Sequence, residues 1–201
     1  MLLRELSWMP ELFFATANEG KFHTTQSALK PFGITLVQAK LELPEPRAED
    51  VREIAKRKAV HAFSLLRKPV MAHDAGFYIH SLNGFPKAYV NLALSTIGVE
   101  GLLKLLEGKP RECEFRHCLA FMDESLDEPK VFEGRVAGSI AMEKRGAKSE
   151  KAWSDLWHVF MPSNGGNRVL AEFQPEELRN WRRENDDYIE RFAEWFATRK
   201  T

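Results

Sequence analysis

The segment Glu11-Leu12-Phe13-Phe14-Ala15-Thr16-Ala17-Asn18-Glu19-Gly20-Lys21 decides how the chain is read. Its first half is a short apolar run ending at Thr16, the pattern of a buried strand. A Gly-containing polar loop follows, then a helix that runs to about Lys30 and is stopped by Pro31. A helix that starts where a strand ends presents unsatisfied backbone N–H groups, which attract phosphate oxygens. Thr16 and Asn18 add side-chain hydrogen-bonding groups, Gly20 permits close approach of a ligand, and Lys21 supplies positive charge. By itself the pattern stays open, because Asn18 also suits a plain helix cap. It is not a Gly-x-x-x-x-Gly-Lys-Ser/Thr phosphate loop.

Outward from this segment, strand and helix patterns alternate. Ile34–Ala39 reads as a second strand and Leu41–Arg47, with two prolines, as a loop. From Ala48 to Leu66 the residues Val51, Ile54, Ala55, Ala59, Ala62, Phe63 and Leu66 recur at helical spacing. Lys58 falls at the edge of that apolar stripe. It is either a lysine whose stem is buried and whose head reaches water, or one that lines a cleft. Pro69–His73 reads as a third strand that ends at Asp74-Ala75-Gly76, and Ser81–Pro86 as a turn. Thr96–Glu107 is expected to be helical. Glu112–Phe121 alternates, with Cys113, Phe115, His117, Leu119 and Phe121 on one face. Lys130–Ala141 pairs with it, Gly134 and Gly138 suggesting bends or a bulge. Glu143–Asp155 reads as a charged loop and Leu156–Met161 as a short strand. One final helix opens at Pro175, with Leu178, Trp181, Tyr188, Ile189, Phe192, Trp195 and Phe196 inward. The order points to a single α/β domain over residues 1–201, with residues 1–10 as an N-terminal extension and a mixed sheet carrying helices.

Composition narrows the function classes. The chain has 201 residues, 44% of them apolar, enough to bury a sizeable core. Its 29 basic residues balance 29 acidic ones, which argues against a general nucleic-acid or membrane-surface binder. No apolar run approaches the ~20 residues that span a bilayer, and Met1–Pro10 does not resemble a signal peptide, so a cytoplasmic location is expected. Cys113 and Cys118 lie five apart in one strand on opposite faces. That argues against a disulfide or a zinc site and for two buried thiols.

Asp74 is the strongest acidic candidate. A carboxylate at the carboxyl edge of an open α/β sheet stands where ligands bind, and it can hold Mg²⁺ or take a proton from water. It also suits an ordinary Asp-x-Gly turn. Glu45, in its Pro-flanked loop, is a candidate second metal ligand or a solvated loop acid.

Several motifs come together in order: Thr16-x-Asn18-x-x-Lys21, Leu43-Pro44-Glu45, Glu53–Ala59 on the long helix, Asp74-Ala75-Gly76, Ser81–Pro86, Thr96–Gly108, Phe132-Glu133-Gly134 and Glu143–Gly146. In order and spacing they resemble the inosine-triphosphate pyrophosphatase family over roughly residues 11 to 175. The resemblance implies an elongated mixed β-sheet with flanking helices and two lobes around a central nucleotide cleft, usually in a homodimer. It implies Mg²⁺-dependent (or Mn²⁺-dependent) hydrolysis of a purine nucleoside triphosphate to monophosphate and pyrophosphate. Thr16, Asn18 and Lys21 would hold phosphates, with Ala75 and Gly76 beside the substrate. Lys58 would contact the triphosphate, Glu45 would help bind metal, and Asp74 would bind metal or activate water.

The chain also departs from that family. His73 and Ala75 flank Asp74 where the family carries an acid and a Ser or Thr; imidazole suits softer metals than Mg²⁺. His73 is then a proton acceptor, a nucleobase contact or a half-buried strand-end histidine. The family's aromatic Gly-Phe-Gly-Tyr-Asp-Pro segment is replaced by Ala152–His158, leaving Trp153 or Trp157 to stack on a base. Its Ser-His-Arg element is absent, leaving Arg182 or Arg183 to meet a base oxygen. Gly-x-Pro-Gly becomes Gly84-Phe85-Pro86-Lys87. These changes fall on base recognition, so altered base selectivity is expected. The rival reading is a nucleotide-binding module that has lost the chemistry; a third is hydrolysis of another bond in a modified nucleotide.

Overall fold

The computed structural model describes residues 11–43, 48–147 and 154–199. Seven strands form one mixed sheet: β1 (Leu12–Ala15), β2 (Leu36–Ala39), β3 (Val70–Ile79), β4 (Pro86–Lys87), β5 (Glu112–Met122), β6 (Lys130–Ile140) and β7 (Phe160–Pro162). The spatial order is β2-β1-β3-β5-β6-β7, with β4 also on β3. β2, β1 and β3 run parallel; β3, β5, β6 and β7 are antiparallel. The helices are α1 (Glu19–Leu29), α2 (Val51–Leu66), α3 (Val90–Thr96), α4 (Gly98–Leu105), α5 (Pro175–Asn185) and α6 (Tyr188–Ala197). Among the described residues, no helix is long and apolar enough to cross a membrane.

β3 is where the structure departs most from expectation. It does not end at His73 but continues to Ile79, paired with β5 along its whole length. On its other edge β1 reaches only Met71, and β4 begins only at Phe77. Among the described residues, 72–76 have no strand partner on that edge, and the cleft lies along it at His73, Asp74 and Ala75.

One face of β5 carries two separate apolar clusters. Cys113 and Phe115 join Phe77, Ile79, Val136, Ile140, Trp157, Phe160 and Leu178. Leu119 and Phe121 join Leu12, Phe14, Phe132, Ile189 and Phe192. Between them stands a row of three paired residues, Ala75, His117 and Gly134. This polar interruption divides the core into two lobes.

The expected final helix is two helices. It breaks at Asp186 (φ −152, ψ 60), where Asn185-Asp186-Asp187 places three short polar side chains in succession, types that compete with helical hydrogen bonding. α6 joins one cluster and Leu178 of α5 the other, so the break falls over the polar row. Gly134 and Gly138 introduce no bulge in β6, which keeps register from Lys130 to Ser139. They are needed for close approach. A Cβ on Gly134 would lie 2.3 Å from Asp186 Oδ1 and 2.6 Å from Tyr188 Cδ1; one on Gly138 would lie 2.3 Å from the Met161 carbonyl oxygen. Two further expectations change. Val90–Thr96 is a helix that sequence spacing did not reveal, and Asp155–His158 is a short 3₁₀ turn before β7 rather than strand. Both cysteines are buried free thiols.

Candidate functional site

The cleft along the open edge of β3 encloses about 390 Å³. Thr16, Ala17 and Asn18 line it from the β1–α1 loop, Lys21 from the first turn of α1, Lys58 from α2, and His73, Asp74 and Ala75 from β3. His117, Trp157, Arg182 and Asp186 line it from the lobe beyond. Gly76 and Arg183 are not among its lining residues. A Cβ at Gly76 would lie 2.9 Å from both Lys87 O and Val51 Cγ1, so this glycine lets β4 and α2 close over β3. Arg183 is exposed. Glu45 and Trp153 lie outside the described residues.

The β1–α1 loop is held in shape by its own side chains. Thr16 Oγ1 accepts from Asn18 N at 3.1 Å, and Asn18 Oδ1 caps α1 by accepting from Lys21 N at 2.9 Å. Asn18 is therefore a helix cap, and the donor half of its amide is not consumed by that bond. Gln38 Nε2 donates to Thr16 O at 3.2 Å and ties the loop to β2.

Opposite stands the pair that joins α2 to β3. Lys58 Nζ lies 3.1 Å from Asp74 Oδ1, with side chains 14% and 12% exposed. Lys58 faces inward because Val51, Ile54, Ala55, Ala59 and Ala62 bury that side of α2. A lysine this close to a carboxylate favours its ionised form.

Successive strand residues point to opposite faces, so His73 turns away from Lys58 and Asp74. It is buried, with Nε2 3.1 Å from Tyr188 Oη. It stacks with Tyr188 and His117 at ring separations of 5.4 and 5.7 Å, and His117 with Tyr188 at 5.2 Å. Burial, then the charges of Lys21, His117 and Lys58, hold the His73 pKa well below 6.5. Burial, then Lys21 and Arg182, hold His117 at about 3. Both imidazoles are neutral at physiological pH. These couplings also order the cleft: Lys21 lies near both rings, Lys58 toward His73 and Arg182 toward His117.

The far end combines an aromatic wall with a second set of charges. Arg182 Cζ lies 5.0 Å from the Trp157 ring centre, and Asp186 Oδ2 lies 3.4 Å from His117 Nε2. Burial raises the Asp186 carboxyl to about 7 and drives Tyr188 well above 10. His117, Asp186 and Tyr188 were not singled out from the sequence as site residues. Two signals were available: a histidine interrupting the apolar face of β5, and three short polar residues in mid-helix.

A capped strand-to-helix turn carrying Lys21, a Lys–Asp pair and an aromatic wall at the far end define a class: an α/β protein whose cleft suits a ligand with an anionic tail and a flat head. The chain belongs to the Ham1 family, whose model matches residues 12–183. A Methanopyrus kandleri protein named dITP/XTP pyrophosphatase is 36% identical over 187 residues, covering 92% of this chain and 96% of that protein. A Trypanosoma cruzi protein named inosine triphosphate pyrophosphatase 2 is 36% identical over 163 residues, covering 81% and 80%. A Coxiella burnetii HAM1 protein has the same fold, with TM-score 0.80 at 23% identity, over 95% of this chain and 100% of that one.

Proposed function

We propose that the chain hydrolyses a purine nucleoside triphosphate to the monophosphate and pyrophosphate. The observation that carries this reading is the inward-facing Lys58–Asp74 pair across the cleft from the N-terminus of α1. A site that only held phosphates would gain nothing from a carboxylate among them, whereas hydrolysis needs an acceptor for the proton of the attacking water. In this reading Lys21, Asn18, Thr16 and the α1 amides hold the phosphates. Water attacks the α-phosphorus, its proton passes to Asp74, and the bond to the bridging oxygen breaks so that pyrophosphate leaves. Lys58 keeps Asp74 ionised and offsets charge on the transferring phosphoryl group.

Among the described residues no group of three His, Cys, Asp or Glu side chains is placed to cage a metal. Mg²⁺ is commonly held by one or two carboxylates together with the substrate's phosphates. Asp74 would be its protein ligand, with Glu45 as the second from the sequence. A bound ion would supply charge neutralisation at the phosphates. The homodimer goes with this reading: Phe85, Tyr89, Leu92 and Ile97 expose apolar surface on and beside α3 that a second copy would cover.

The test is a panel of natural, deaminated and modified nucleoside triphosphates incubated with the chain and Mg²⁺ or Mn²⁺, following pyrophosphate, phosphate and free base. Pyrophosphate with monophosphate is expected, and Asp74→Asn should abolish it while the fold persists. Full activity in that variant removes the role given to Asp74. Release of free base would point to glycosidic cleavage, and saturable binding without turnover to a nucleotide-binding module.

A further inference from the structure

The reaction above uses one end of the cleft and leaves the lining of the other unexplained. Six apolar side chains line that far end: Phe115 from β5, Val136 from β6, Trp157 from the 3₁₀ turn before β7, Phe160 from β7, Leu170, and Trp181 from α5. All six belong to, or pack against, one apolar cluster, so this half of the cleft is cut into the core of its lobe rather than laid on its surface. Their only polar side-chain atoms are the two indole N–H groups, which donate and cannot accept. Arg182, 5.0 Å from the Trp157 ring centre, also only donates. The nearby acceptors are turned to other partners. Ser154 Oγ accepts from Leu156 N at 3.3 Å. Asp186 turns Oδ2 to His117 at 3.4 Å and Oδ1 toward Gly134, where an added Cβ would lie 2.3 Å from it.

In a nucleotide whose phosphates lie against α1, the outer edge of the purine, from C6 through N1 to C2, is the part farthest from them and the part that meets this pocket. A base that carries N–H groups on that edge finds no acceptor among the six side chains, and a buried donor left unpaired is costly. An alkyl group on the same edge removes a donor and buries apolar surface instead. We propose that this pocket takes an apolar substituent, and that the chain's substrates are purine nucleotides alkylated on the 6-amino group. This rests on the nucleotide reading above and narrows it to one class of modified base.

The experiment is calorimetric binding of AMP, its 6-methylamino and 6-dimethylamino counterparts, IMP and XMP to the full chain, with inorganic tripolyphosphate as a probe that has no base. Affinity should rise about fourfold with each methyl group added to AMP, the scale of burying one such group. IMP and XMP, which carry N1–H and no apolar substituent, should bind about tenfold or more weakly than the dimethylamino compound. Val136→Phe and Leu170→Phe each fill the pocket with a ring, and in both the gain per methyl group should disappear. Tripolyphosphate binding reports in each variant that the opposite end of the cleft is formed. Methyl groups that add nothing in the unaltered chain, IMP or XMP binding as tightly as the dimethylamino compound, or a gain that survives in both variants overturns the assignment. If tripolyphosphate binds and the nucleotides all bind alike, the substituent pocket alone fails. If none of them binds, the nucleotide reading fails with it.

Discussion

Replacing Gly134 by alanine puts a methyl group where the break between α5 and α6 rests on the sheet. The new Cβ would sit 2.3 Å from Asp186 Oδ1, 2.6 Å from Tyr188 Cδ1 and 3.2 Å from Tyr188 Cγ. The tyrosine ring is buried, stacks with His73 and His117, and is hydrogen-bonded to His73, so it cannot swing aside cheaply. Overpacking of this kind costs about 1–3 kcal/mol, against which alanine recovers about 0.5–1 kcal/mol of the backbone entropy a strand glycine forfeits. A net loss of roughly 1–2 kcal/mol is expected, or about 0.5–1 M in the urea midpoint at a slope near 2 kcal/mol/M. The assay is equilibrium urea unfolding, in a double-mutant cycle with Asp186→Ala. Removing the carboxyl removes the nearest clash, so the cost of Gly134→Ala should shrink by about 1 kcal/mol in that background. An unchanged midpoint in Gly134→Ala, or the same cost in both backgrounds, would refute the claim that Gly134 exists to seat the α5–α6 junction.

Lys58→Met should lower kcat/KM by about 10²–10³, since it removes the cation that holds Asp74 ionised and offsets phosphate charge; steady-state kinetics on the best substrate measures this. Its stability cost should be modest, about 1–3 kcal/mol in urea unfolding, because the pair borders the cleft and the orphaned carboxyl can take up a proton. The His117–Asp186 pair makes a pH prediction. His117 falls to about 3 on folding from 6.5, so its contribution is complete above pH 6.5 and is lost as pH falls toward 3. Asp186 rises to about 7 from 3.8, so its contribution is complete below pH 3.8 and is lost as pH rises through 7. Between roughly pH 4 and 6.5 the two slopes cancel, each near 1.4 kcal/mol per pH unit. Relative to the unaltered chain, Asp186→Asn should gain stability with rising pH in that window and His117→Asn should lose it; parallel profiles would contradict the assigned protonation states.

How much of this was readable in advance follows from the range of the forces involved. The β1–α1 end of the cleft is built from local signals. A strand, a capped helix start and a lysine three residues after the cap lie within ten residues of one another, and their geometry follows from chain connectivity. Lys58 was legible as an inward lysine because helical periodicity fixes which way a side chain points once the apolar stripe is known. β3 was cut short because Asp74-Ala75-Gly76 carries turn composition, yet complete pairing with β5 holds those residues extended. That extension puts His73 and Asp74 on opposite faces, which a strand ending at His73 would not have done.

The far end depended on contacts between residues distant in the chain. The 3.6-residue period from Pro175 to Phe196 reads as one helix, and nothing local says that Asp186 will be buried rather than solvated. It is buried because α5 and α6 pack on different apolar clusters, which leaves their junction over the row of the sheet that carries Gly134. Periodicity, caps and charge order thus determined by themselves the α/β class, the capped strand-to-helix turn and a lysine at the edge of an apolar stripe, since each depends on residues within a few turns of one another. Only the tertiary structure decided the open edge of β3, the broken final helix and the His73–Tyr188–His117–Asp186 cluster. Those depend on which buried surfaces meet, and that is settled by packing across more than a hundred residues of separation, as between His73 and Tyr188.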